Sequence, residues 1–149
     1  MRVLASDPFA DDATHDLDDL LAEADVVSMH AAVTPDTLGL MGADQFARMP
    51  EGAVYVNSAR AGLHDLDALT AALASGHLGG AALDHFDGEH IDPDHPLVGM
   101  ANVVLTPHIG GATYDTEANH TALMATGLAA LLQGERPSNL ANPEVFDHA

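Results

Sequence analysis

The chain has 149 residues, 47% of them hydrophobic but only 4% aromatic, enough to bury one core that must rest on Ala, Val and Leu. Its 23 Asp and Glu stand against four basic residues, all arginine, and the resulting charge of −19 argues against nucleic acid or anionic membranes as partners. No 18-residue apolar run, no basic-plus-apolar leader and no cysteine occur, so no membrane span, secretory signal or disulfide is indicated, which fits a cytoplasmic protein.

In chain order, residues 2–6 and 25–29 read as short apolar strands, and the spacing of 17–24 between them predicts a short helix. Gly52 introduces a strand over 53–57. Asp65 or Asp67 caps a helix that runs to Ser75 and is closed by Gly76. A buried-strand run at 80–83 leads into a Pro- and Asp-rich loop through Pro96, 102–106 is the last strand, and 112–132 is a long Ala/Leu helix ended by Gly134 and Pro137. Strands separated by helices or long crossovers pair in parallel, so the fold class is α/β with a doubly wound parallel sheet. The acidic clusters at 11–12, 16–19 and 92–94 lack the spacing of a calcium loop and read as solvated faces. A chain so acidic and without lysine points to a salt-adapted host, where ions screen self-repulsion, or to high-GC codon bias.

Three segments carry chemistry. Val54-Tyr-Val-Asn-Ser-Ala-Arg60, Ala81-Ala-Leu-Asp-His-Phe-Asp-Gly-Glu89 and Val103-Val-Leu-Thr-Pro-His108-Ile-Gly-Gly each place a functional residue after a strand. In an open parallel sheet such strand ends converge on one crevice. A guanidinium grips a carboxylate with two hydrogen bonds, an imidazole moves a proton near neutral pH, and a carboxylate orients that imidazole.

These segments, with Val3-Leu-Ala-Ser-Asp7-Pro, Ala24-Asp-Val-Val-Ser-Met-His30, Leu38-Gly-Leu and Asn142-Pro-Glu-Val, make the chain resemble the D-isomer-specific 2-hydroxyacid dehydrogenases over nearly its whole length. The resemblance implies an oxidoreductase that moves a hydride between C2 of a D-2-hydroxy acid and NAD. Arg60 would hold the substrate carboxylate, His108 would be the acid/base and Glu89 would orient it. Cofactor contacts would come from Asp7 at the adenosine ribose, His30 and Ala31 in the turn after their strand, Ser58, Ala59 and Arg60 beside the nicotinamide, Asp84 near the carboxamide, and His108, Gly110 and Gly111. A homodimer is implied for the complete family member. Three positions depart from the family pattern: Ala61 replaces glycine, His85 replaces an apolar residue, and His90 follows Glu89 where proline is usual.

A dinucleotide fold normally opens with strand, G-x-G-x-x-G and helix, about 20 residues before the acidic ribose ligand. Only six residues precede Asp7 and no such motif follows it. The expectation is therefore an N-terminally truncated, incomplete Rossmann-type sheet over residues 1–113, with 114–149 a C-terminal helix and tail that pack back on an absent substrate domain. Such a chain is expected to bind NAD weakly by itself, and a catalytically inactive remnant or an NAD-sensing interaction module is the alternative function. A metal site built on His85, Glu89, His90, Asp94 and His95 matches no H-E-x-x-H or H-x-x-E-H pattern, so none is expected.

Overall fold

A computed structural model describes residues 1–148. The chain divides into two compact units, Met1–Ile109 and Gly110–Ala149. In the first, α1 (Leu17–Glu23), β1 (Val26–Met29), α2 (Ala43–Arg48), β2 (Val54–Asn57), α3 (Leu66–Ala74), β3 (Gly80–Leu83) and β4 (Val103–Leu105) follow one another, and the second is built on α4 (Tyr114–Leu132). The four strands form one parallel sheet in the order β1-β2-β3-β4.

With sequential strands and right-handed crossovers, the connecting helices land on one face, and α2 indeed packs between α1 and α3. Local chemistry starts α2 and α3. Asp65 caps α3 by accepting from the Ala68 amide at 2.9 Å, and the Gln45 side chain accepts from the Gly42 amide ahead of α2. The inward face of the sheet and these helices share one core, in which Val27, Met29, Tyr55, Ala81 and Leu83 meet Leu21, Phe46, Leu69 and Leu73. Close approach at β3 depends on glycine. A Cβ on Gly79 would lie 2.4 Å from the Gly52 carbonyl oxygen, and one on Gly80 would lie 2.8 Å from that of Asn102.

The other face of the sheet carries Val26, Val54, Val56, Ala82 and Val104, aligned by the register, with Val26 and Val104 exposed. Two expectations need correction. Residues 2–6 are not a strand: Val3 is exposed, and the backbone of Ala5 is bonded instead to Thr14 and His15. An apolar run becomes a strand only where a neighbour takes up its ladder hydrogen bonds, and among the described residues no strand pairs with it. Helix α2, absent from the sequence reading, is only six residues long and is held by burial of Phe46 with the following Met49.

In the second unit, Thr113 caps α4 by accepting from Thr116, and no residue of the helix is buried. Met124, Leu128, Leu131 and Leu132 leave an apolar stripe exposed along it. Among the described residues no helix is long and apolar enough to cross a membrane.

Candidate functional site

The register sets Met29, Asn57, Leu83 and Leu105 side by side, so the segments carrying His30, Arg60, Glu89 and His108 all leave one edge of the sheet. This edge is organised by two buried polar side chains. Asn57 is 1% exposed, and its Oδ1 accepts from the amides of Ala59 (2.9 Å) and Arg60 (3.2 Å). Its Nδ2 donates to the Arg60 carbonyl and to His64 Nδ1, both at 2.8 Å. All four hydrogen-bonding positions of the amide are thus used, and because backbone N–H groups can only donate, the orientation of the amide follows. The turn from Asn57 to Arg60 is moulded around that side chain.

His64 must accept at Nδ1, so it carries its proton on Nε2. Burial lowers its pKa from the ordinary value, against the raising effect of Asp65 and Asp87. A base with a depressed folded pKa adds stability that is present above about pH 6.5 and lost as the pH falls through the folded value. Melting temperatures between pH 7.5 and 5.5 should therefore drop more for the native chain than for His64→Gln. Equal pH slopes would remove the role given to His64.

Asp84 is the second organiser. Its buried carboxylate accepts from the Thr106 hydroxyl and from the Ile109 amide (2.9 Å), and its carbonyl accepts from the His108 amide (2.9 Å). These bonds bind the end of β3 to the loop after β4. They hold His108 at φ 55°, while Glu89 stands at φ 60°. Left-handed backbone at a non-glycine residue costs roughly 1 kcal/mol or more, and here two such residues bring their side chains together. Both Glu89 oxygens lie 3.1 Å from His108 Nδ1. His85, 5% exposed, places its ring 3.8 Å from that of His108, tilted by 55°.

Arg60 is exposed, and its guanidinium donates to the Ala59 carbonyl. Arg2 and Arg48 pair with Glu23 and Asp18, and Arg136 lies over Phe146, whereas no carboxylate pairs with Arg60 among the described residues. In a chain with 23 acids, a cation left unpaired at a strand end is available to an anionic ligand.

The chain is matched over residues 1–110 by the model of the D-isomer specific 2-hydroxyacid dehydrogenase, NAD binding domain family. It belongs to that family. Glyoxylate/hydroxypyruvate reductase B of Escherichia coli is 44% identical over 132 residues, which cover 89% of this chain and 41% of the relative. The structure of D-lactate dehydrogenase with NAD+ from Lactobacillus jensenii matches at a TM-score of 0.87 and 30% identity, over 94% of this chain and 48% of that one. A D-isomer specific 2-hydroxyacid dehydrogenase from Xanthobacter autotrophicus, in complex with NADPH and MES, matches at 0.71 and 35%, over 87% and 41%. The chain therefore spans about two fifths of the length of the curated relatives it matches.

Within this family domain the expected site residues are placed unequally. Glu89 and His108 are in contact, and Asp84 supports the His108 loop. Ser58 is exposed and Ala59 half-buried in the Asn57 turn. His30 is exposed, its Nε2 2.9 Å from the Ser28 hydroxyl, and Ala31 beside it is half-buried. Asp7 sits in an exposed turn, where its side chain accepts from the Phe9 amide. Gly110 and Gly111 open the second unit, and a Cβ at Gly111 would meet nothing. Sequence reasoning gave no role to Asn57, His64 or Thr106. A polar residue closing an apolar strand, as Asn57 does, is the signal that could have found the first.

Proposed function

We propose that this chain supplies the acid/base and carboxylate-binding side of an NAD-dependent D-2-hydroxyacid dehydrogenase. The observation that carries this reading is the Glu89–His108 pair, held by two left-handed backbone positions on the sheet edge that also presents the unpaired Arg60. The exposed strand-end turns at Ser58 and His30 suit the nicotinamide end of the cofactor, while no glycine turn for its pyrophosphate occurs among the 149 residues. NAD supplies or accepts the hydride when bound. Arg60 grips the carboxylate of a small 2-oxo or 2-hydroxy acid and polarises its 2-oxygen. His108 gives a proton to that oxygen in reduction or removes it in oxidation, through the ring nitrogen that Glu89 does not hold. Glu89 fixes the ring orientation and tautomer. Asp7 selects NAD over NADP, since a carboxylate accepts from a ribose 2′-hydroxyl and repels a 2′-phosphate.

The second reading is a module that binds NAD without turnover. The absence of cysteine suits the cytoplasm, and the exposed stripe on α4 suits a protein surface, such as a second copy in a homodimer.

One set of measurements separates the readings. A chimera in which this chain replaces the matching region of the Escherichia coli relative should reduce hydroxypyruvate or glyoxylate, with kcat/KM higher for NADH than for NADPH. The 149 residues by themselves should bind NADH weakly and show no turnover. A chimera that binds NADH without turnover establishes the non-catalytic reading. Equal or reversed cofactor preference removes Asp7.

A further inference from the structure

We propose that His85, Glu89 and His108 form a binding site for a divalent transition-metal ion of the zinc class. Each residue offers one ligand atom, and these atoms all lie within 4.8 Å of one another. Glu89 and His108 already stand 3.1 Å apart, close to the roughly 3.3 Å that separates two ligands of a tetrahedral ion at zinc bond lengths. Two imidazoles and one carboxylate are a donor set that zinc accepts as three protein ligands, with a fourth position left open.

The surroundings support a site rather than a chance cluster. His85 is fixed in the protein interior, while the side chains of His108 and Glu89 are 44% and 63% exposed, so an ion enters from solvent and meets a ligand already in place. Both exposed ligands are pinned by backbone in the left-handed region, and His108 is tied further through Asp84. The net charge of −19 concentrates cations around the molecule. No motif in the sequence shows the site, because its ligands come from two strand ends 23 positions apart.

The site forms independently of hydride transfer. It has a consequence for it: the ion takes the imidazole and carboxylate that the proposed proton transfer uses, so bound metal and proton transfer exclude each other.

ZnCl2 titrated into the 149-residue chain against a chromophoric chelator tests the site, with MgCl2 as the hard-ion control. One zinc per chain is expected, no magnesium competition, and weakening of roughly ten-fold or more in both His85→Val and Glu89→Gln. Glu89 is exposed, so Glu89→Gln tests the site even where His85→Val disturbs packing, and far-UV circular dichroism shows which variant is folded. CoCl2 in place of zinc should give visible d–d bands that fade in Glu89→Gln. His90→Ala and His95→Ala should bind as the native chain does. Absence of stoichiometric binding, unchanged affinity in folded Glu89→Gln, or dependence on His90 or His95 would overturn the proposal.

Discussion

Replacing His108 by alanine in a polypeptide that contains these residues and reduces hydroxypyruvate or glyoxylate should lower kcat by about two to four decades, the scale of losing a positioned acid/base. The KM for the 2-oxo acid should change little, because carboxylate binding is assigned to Arg60. Arg60→Ala should instead raise KM and lower kcat together, since one guanidinium serves both binding and polarisation. Steady-state kinetics of the two variants separate the roles. Near-native turnover by His108→Ala would place the proton carrier elsewhere and leave the strained Glu89–His108 pair without a catalytic purpose.

The second large effect is expected at a residue that touches no reacting atom. Asn57→Ala should destabilise the chain by about 3–4 kcal/mol, because deletion of one buried amide leaves the Ala59 and Arg60 amides, the Arg60 carbonyl and His64 Nδ1 without their partner. For a chain of this size that corresponds to a fall in Tm of roughly 10 °C. Asn57→Asp should fail for a chemical reason, since a carboxylate has nearly the same shape but cannot donate to the Arg60 carbonyl. Thermal unfolding of the native chain and both variants decides it. A native-like Tm in Asn57→Asp would show that shape, not donation, holds the Arg60 turn.

Much of the first unit was legible because its strands are apolar runs bounded by turn residues, and their burial needs only the neighbouring strand. The run at 80–83 is observed as β3 with those bounds, and Asp65 caps α3 through a hydrogen bond that reaches only three residues along the chain. The family membership was legible for the same kind of reason, as ordered short motifs with their separations. The misreading of residues 2–6 shows the limit. Its centre, Val3-Leu-Ala5, is apolar like β1, but β1 has β2 beside it, whereas the Ala5 backbone bonds to Thr14 and His15.

The composition and local order of the chain therefore determined by themselves an acidic α/β domain of this family, with Arg60, Glu89 and His108 each placed after a strand. Only the tertiary structure decided which of them meet. Glu89 and His108 are 19 positions apart, and their contact depends on left-handed backbone at both residues and on a buried Asp84 that ties one strand end to the next. The approach of His85 to the same pair is equally invisible in the spacing of the residues. Backbone conformation at a non-glycine residue and the convergence of separate strand ends are set by packing and hydrogen bonds across the sheet, and these long-range terms leave no periodic trace in the order of the amino acids.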